Sequence, residues 1–373
     1  MSRILIISQP HDIHAYAIAE MIRRKGGEAV IWQSTNFPMH GTETVSAGRD
    51  VTVRVIGPDG EIDFSRPFDA VWRRRPAYRL DRGAVHPADF ECADLGARHL
   101  REGLLHVLLK DAFWVNPISA MKFAEYKIPQ IVTARELGLE IPETLFTNDP
   151  EQIREFIRSQ GGRIAFKPFS AQPWRDGDQY YMPYTAMIGE GNLVRDELLL
   201  AAPAIYQQIV SKAYELRVTF IGERAFAAKV LSQDTKFGKM DWRKSYGELR
   251  MEPYELPEEI AAKCRALMRH FGIVFGCFDF IVTEDGRYVF LEVNPTGQFL
   301  FVESYTEMRI GDAFTELLLQ RRPDFAWPMS SAPVRYADVI PAAQMLMNAD
   351  AERNTEGAPG GWFETAEEAA VTA

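Results

Sequence analysis

The sequence predicts an α/β protein, and three observations carry that prediction. RILIIS reads as a buried strand, a helical pattern spans Ala15 to Lys25, and EAVIWQ reads as a second strand. A βαβ opening of this kind implies a parallel sheet. From Ala204 to Leu231 the chain instead reads strand, short link, strand, turn, strand, and a further hairpin follows at 277–295. Strands joined by tight turns are antiparallel, so the second half is α+β in character. At 373 residues, 46% apolar and 12% aromatic, the chain is too long for one core and rich enough to fill two or three.

Taken in order, the first turn, QPHDIHA, has no glycine. A dinucleotide site there would need glycines for close approach of the pyrophosphate, so a nicotinamide or flavin reading is rejected. His11 and His14 lack a third ligand and read as plain loop residues. DAVWRRRPAYR, 69–79, ends an apolar strand in Arg73, Arg74 and Arg75, with Arg74 pointing opposite to the other two. The trio is either a solvated strand end or, slightly favoured, a site for an anionic partner. A long helical pattern covers about Ala88 to Leu109. Ser119 reads as the N-cap of a helix running towards Gly138, with Lys127 inside it, and another helix spans about Asp149 to Ser159.

Lys167 lies in the apolar strand RIAFKPF. Burying an ammonium is costly unless it is paired, so an anionic ligand is expected beside it. SAQPWRDGDQYY, 170–181, reads as a polar loop with a turn at Asp176-Gly177, able to close over a ligand. Alternation puts Glu215, Arg217 and Thr219 on one strand face. Glu215 and Arg217 are either a surface pair worth under about 1 kcal/mol or a setting in which Arg217 meets an oxyanion or phosphate. The connection 233–250 is basic and carries Trp242 and Arg243. It reads as exposed, and serves equally well as a peptide-docking loop or a plain solvated one. Leu256 to Gly272 and Gly311 to Gln320 are helical, and 350–373 reads as disordered.

The most informative stretch is CFDFIVTEDGRYVFLEVNP. With Asp285-Gly286 as a two-residue loop, Asp279 faces Glu292 and Cys277 faces Asn294. Asp279, Glu292 and Asn294 then share one face, and Phe278, Phe280, Val282, Val289, Leu291 and Val293 form a core face. A three-residue loop would shift this register. Like charges directly opposed destabilise a bare sheet, so something cationic belongs between them. Three hard oxygen donors without His or Cys suit Mg²⁺, and the plainer alternative is a solvated hairpin end.

Composition narrows the function further. Three scattered cysteines (Cys92, Cys264, Cys277) make neither a disulfide framework nor a zinc site, which fits a reducing cytoplasm. No signal peptide and no apolar run of membrane-spanning length is read, so no membrane partner is expected. Net charge is −10, and from Ser331 onward two basic and seven acidic residues (2 − 7 = −5) account for half of it. The body is only mildly acidic, which argues against a nucleic-acid partner.

On these residues the chain resembles the ATP-grasp enzymes, from about Ala70 to about Gln320. Within them it is similar to the ligases that macrocyclise ribosomal peptides, the microviridin or graspetide type. DFIVTEDGRYVFLEVNP is the strongest motif, and VWRRRP and NPISAMKFAEYKIPQ match the ligase subgroup. The resemblance implies an ATP-grasp fold behind an N-terminal βαβ pre-ATP-grasp domain. Its divisions would be 1–115, a central subdomain 116–203, a C-terminal subdomain 204–330 and a tail 331–373. It implies ATP and two Mg²⁺ ions as cofactors, with Asp279, Glu292 and Asn294 holding the metal. Lys127 and Lys167 would contact ATP phosphates, Gln208 and Val210 adenine, Glu215 the ribose and Arg217 the γ-phosphate, with Lys167 and Arg217 catalytic. Arg73, Arg75, Trp242 and Arg243 are candidates for the substrate peptide.

The implied reaction phosphorylates an Asp or Glu side chain of a leader-bearing precursor peptide. A Thr or Ser hydroxyl or a Lys amine of the same peptide then closes an ω-ester or ω-amide ring. The enzyme itself is a candidate homodimer. A ligase joining an amino acid to a small acid or a protein C-terminus shares the same ATP machinery and is the alternative, and a scaffold that binds ATP without ligating is a third reading. The glycine-poor loop after Lys167 departs from many ATP-grasp members. In the tail, Thr355, Glu356, Glu364, Thr365, Glu367 and Glu368 are residue types such enzymes cross-link, although a plain tail is the preferred reading.

Overall fold

The computed structural model describes residues 1–78, 80–169, 174–176, 179–235, 238–327 and 333–354. Its first sheet is parallel throughout, in the order Glu28–Gln33, Arg3–Ser8, Ala70–Arg73, Phe113–Val115. Ile4 to Ile7 are fully buried because helices cover this sheet, which is why RILIIS is a continuous apolar run. A small antiparallel sheet of Thr42–Ala47, Val51–Gly57 and Gly60–Glu61 flanks it.

Two antiparallel sheets follow. One has the order Ala186–Ile188, Ile164–Pro168, Ala204–Gln207, Thr144–Thr147. The other runs Met251–Tyr254, Arg224–Val230, Tyr214–Ile221, Phe275–Val282, Tyr288–Asn294. Residues 208–213 join Ala204–Gln207 directly to Tyr214–Ile221, so the chain passes from one sheet to the other at this link.

The five-stranded sheet buries its two faces differently. On one face Leu216, Val218, Phe220, Phe278, Phe280 and Phe290 pack against Cys264, Leu267 and Phe271 of the helix Glu258–Phe271. The other face is apolar only at one end. There Ile221, Phe275 and Cys277 join a core containing Ile4, Ile6 and Trp72 of the first sheet, together with Phe299 and Phe314. Trp72 meets Phe314 at 4.8 Å between ring centroids. Further along the same strands the residues turn to Thr219, Arg217, Glu215 and Asp279, Ile281. The charged end is therefore placed by the apolar end.

Asn116 fixes this junction. It is 1% exposed and saturates its amide on the five-stranded side: Nδ2 donates to the carbonyls of Phe275 and Pro295, both at 2.9 Å, and Oδ1 accepts from Val274 N and Phe275 N.

Several sequence expectations need correction. The helix read from Ser119 to Gly138 is two helices, Ile118–Glu125 and Lys127–Glu136, capped by Pro117 and Tyr126. Pro129 is the cause: it has no N–H to bond Glu125, and its ring would clash with that carbonyl, so the helix stops and restarts with Pro129 in a permitted first turn. Ser119 is thus inside the first helix, and Lys127 begins the second rather than lying mid-helix. The stretch after 331 is also more ordered than its composition suggested, because Tyr336–Asn354 is a helix. Val339, Ala343 and Met347 are buried at four-residue intervals, and Asp350 bonds the Tyr16 hydroxyl and accepts from Gln33 Nε2 at 2.7 Å. The turn at Asp176-Gly177 and the residues from Thr355 onward lie outside the described residues. Among the described residues no helix is long and apolar enough to cross a membrane.

His11 takes a left-handed φ of 64° in the first turn. His14 is buried in the first helix, Ile13–Arg24, edge-on to Phe299 at 5.7 Å. Burial, and then the charge of Arg74, push its pKa down to about 3. A depressed histidine pKa means the unfolded chain binds the proton that the native state refuses. His14 therefore leaves stability intact above its unfolded pKa and erodes it as pH falls towards 3. Urea unfolding at pH 6, 5 and 4 is expected to lose up to about 1.4 kcal/mol per pH unit through this residue, and His14→Leu should flatten that slope.

Candidate active site

The hairpin Phe275–Val282/Tyr288–Asn294 closes with three loop residues, not two. Thr283 N bonds Arg287 O at 3.1 Å, and Gly286 takes φ 81°, the left-handed position that ends such loops. This shifts the register near the turn, where Phe280 faces Phe290 and Ile281 faces Val289. A β-bulge at Leu291 then adds one residue and restores the pairing. Asp279 faces Glu292 and Cys277 faces Asn294, as the two-residue loop would have placed them. The bulge also corrects the core face. Phe290, fully buried, takes the place assigned to Leu291, while Val289 pairs with Ile281 on the face that carries Asp279.

The opposed carboxylates meet cations from separate elements. Arg217, directly across from Asp279 on the neighbouring strand, donates Nη1 to Asp279 Oδ2 at 2.9 Å and Nη2 to the carbonyl of Gln298 at 2.8 Å. Lys127 Nζ lies 2.5 Å from Glu292 Oε2. Lys127 and the nearby Lys167 and Arg243 hold Glu292 down to a pKa of about 2 against its burial. Asp279 moves the other way, because burial and the charge of Glu292 outweigh Arg217.

Gln130, which the sequence reading did not single out, sets Lys127 in place. Its amide pairs with the strand backbone: Oε1 accepts from Val293 N at 3.0 Å and Nε2 donates to Val293 O at 2.8 Å. The residue is 1% exposed, so the helix beginning at Lys127 is pinned beside Glu292. A glutamine three residues after a helical lysine carries no recognisable signal; only the strand it meets gives it a role.

Lys167 donates to Gln207 Oε1 at 2.8 Å, and Gln207 Nε2 donates to Thr144 Oγ1 at 3.1 Å. Burial lowers the Lys167 pKa, with Glu292 acting against the shift. Gln208 and Val210 lie in the link between the sheets. Gln208 is exposed, and its N–H bonds Glu143 O at 2.8 Å. Glu215 is 6% exposed, accepts from Lys212 Nζ at 2.7 Å, and has its pKa raised by burial. Asn294 Oδ1 accepts from Thr296 N at 2.9 Å, which orients its amide.

The peptide candidates divide. Trp242 is 8% exposed and stacks on Phe301 at 5.9 Å, so the expectation of an exposed docking aromatic is corrected: the 233–250 connection folds inward and spends Trp242 on the core. Arg243 remains half-exposed beside it, and Glu292 and Asp279 act on its charge. Arg73 is half-buried, with Nη1 3.2 Å from Met121 Sδ, and Arg75 is half-buried. Arg74, at 1% exposure, braces the junction by donating to Thr296 O at 2.7 Å and pairing with Asp12 at 3.3 Å.

Among the described residues no three His, Cys, Asp or Glu gather as a metal cluster, so any third donor beside Asp279 and Glu292 must be a group such as the Asn294 amide. The set is all oxygen and suits a hard divalent ion. With Lys127, Lys167, Arg217 and Arg243 around it, the face can receive a polyanion together with such an ion.

A scan against family models finds no match, and a search of curated proteins finds no similar sequence. Solved structures do match. Macrocyclase MdnC from Microcystis aeruginosa MRC, bound with precursor peptide MdnA, is 30% identical, with 85% of this chain and 99% of that chain covered and a TM-score of 0.75. The RiPP-associated ATP-grasp ligase of Chryseobacterium gregarium, in complex with ADP and a leader and core peptide, is 24% identical over 90% of this chain and 100% of that chain, with a TM-score of 0.77. Macrocyclase MdnB, also from M. aeruginosa MRC, is 26% identical over 86% and 99%, with a TM-score of 0.72.

The Lys127–Glu292 pair is directly testable. Lys127→Met should raise the Glu292 pKa from about 2 towards the ordinary carboxylate value, followed by NMR of its side-chain carbon through an acid titration. A Glu292 pKa that stays put would show that another cation holds it.

Proposed function

The chain belongs to the ATP-grasp peptide ligases of the graspetide type, and from that premise we propose that it closes ω-ester or ω-amide rings in a leader-bearing ribosomal precursor peptide at the expense of ATP. The observation that carries this reading is the Asp279–Glu292 pair, held face to face and ringed by Lys127, Lys167 and Arg217.

The chemical problem is to bring a peptide carboxylate against a triphosphate, two anions. Arg217 and the two lysines offset that repulsion and stabilise charge that builds on the transferring group. Asp279, Glu292 and Asn294 would hold magnesium, which supplies Lewis-acid neutralisation at the phosphates when bound. Gln208 and the Val210 backbone, at the link between the sheets, are assigned to adenine, and buried Glu215 to the ribose hydroxyls. A side-chain carboxylate oxygen of the peptide attacks the γ-phosphorus and the bond to ADP breaks. A Thr or Ser hydroxyl, or a Lys amine, of the same peptide then attacks the acyl carbon, and phosphate leaves with the bonding electrons. Because both ends belong to one chain, holding them in register supplies much of the rate. Arg73 and Arg75, half-buried beyond the Arg74 brace, are assigned to the peptide's acidic side chains.

The parent protein, given ATP, Mg²⁺ and a peptide rich in Thr, Ser, Lys, Asp and Glu, should release ADP and shorten the peptide mass by one water per ring. A gain of one amino-acid residue would favour a ligase acting on a small acid or a protein terminus. Glu292→Gln should abolish peptide-dependent ADP release, and full turnover by that variant would remove Glu292 from the metal site.

A further inference from the structure

The segment Asp241–Trp242–Arg243 is built as an anchor and a pointer. Trp242 is buried in the main core and stacked on Phe301. Asp241, 6% exposed, accepts from Arg243 at three places: the backbone N at 3.2 Å and Nε at 2.8 Å on Oδ1, and Nη2 at 2.6 Å on Oδ2. The same Oδ2 accepts from Thr185 N at 3.3 Å, just before the strand Ala186–Ile188 of the four-stranded sheet. Arg243 and Lys244 lie over Tyr184 at 5.8 and 4.9 Å. A loop of the five-stranded sheet is thus tied to the other sheet across the site.

A guanidinium has five donors in a fixed fork. Asp241 engages Nε and Nη2, which fixes the plane of Arg243 and leaves the Nη1 edge for a ligand. Glu292 and Asp279 act on this guanidinium, and Lys167 senses both Asp241 and Arg243. Arg243 therefore stands among the groups assigned to metal and phosphates, opposite Arg217. A surface docking role would need an exposed partner beside it, and the one aromatic available, Trp242, is spent on the core.

We propose that Arg243 is a catalytic arginine for phosphoryl transfer, and that Asp241 is its positioning residue. This rests on the ligase reading above. Arg243 donates to the non-bridging oxygens of the γ-phosphoryl group while the bond to ADP breaks and the bond to the acceptor carboxylate oxygen forms. Its contribution goes to charge that develops in transfer, so it belongs in kcat rather than in KM.

The test is steady-state kinetics of ADP release on the full chain with ATP, Mg²⁺ and a peptide for which the parent protein shows turnover. Absence of turnover in the parent with any carboxylate counts against the ligase reading itself; normal parent turnover with unaffected variants counts against this inference alone. Arg243→Ala should lower kcat by about 10²-fold with both KM values within a few-fold, and added guanidinium should restore part of the loss. Arg243→Lys should recover little, because an ammonium cannot use the Asp241 fork. Asp241→Asn should show a comparable kcat loss, and the double variant Asp241→Asn/Arg243→Ala should be no worse than Arg243→Ala. The proposal is overturned by unchanged kcat in Arg243→Ala, by a rise in peptide KM alone, or by additive losses in the double variant. Should Asp241→Asn fail to fold, the guanidinium rescue of Arg243→Ala decides.

Discussion

Two carboxylates set face to face on neighbouring strands repel, and the molecule is arranged so that this repulsion is held in check. Arg217 reaches Asp279 from within the sheet, Lys127 reaches Glu292 from the start of a helix, and Lys167 comes from the other sheet. None of the three could do this from its own element alone. Each depends on where another element has been pinned: Lys127 on the Gln130 amide against Val293, Lys167 on Gln207, and the whole hairpin on Asn116. Buried ion pairs of this kind are poor sources of stability, because desolvation consumes most of the attraction. Their value lies in a field already oriented before a polyanion arrives.

That field is possible because the five-stranded sheet changes character along one face. Phe275 and Cys277 lie in the core shared with the first sheet, and two residues further along the strand Asp279 is among charges. The apolar end resists displacement, so it acts as the mount on which the charged end is carried. Arg74 and Asn116 extend this mounting to the segment after Asn294, through the carbonyls of Thr296 and Pro295. Rigid support behind an oxygen-rich face is what positioning at sub-ångström tolerance requires.

Much of this could be read from residue order. The parallel opening followed from RILIIS and EAVIWQ, and the opposition of Asp279 and Glu292 followed from the alternation and turn signal of the hairpin. What escaped was non-local or disguised. Gln130 and Asn116 gain meaning only from the backbone groups they meet. Trp242 sits in a basic, polar stretch whose composition says surface, while its ring lies in the core. The helix Tyr336–Asn354 was masked by Pro341 and by small residues, although Val339, Ala343 and Met347 recur every four positions. Pro129 was the one local signal left unread, and it alone decides that Lys127 opens a helix.

The bulge at Leu291 has a consequence for how this hairpin can vary. The loop is one residue longer than the tightest turn would need, and the bulge takes up that extra residue before the strand reaches Glu292. The two irregularities cancel. A deletion at the turn that left the bulge in place, or loss of the bulge alone, would displace Glu292 from its opposite number and flip the parity of every residue between them. Sequence length here is therefore conserved in pairs: the tip of the hairpin tolerates an insertion only if the strand a few residues away absorbs it, and a lineage that edits one must edit both.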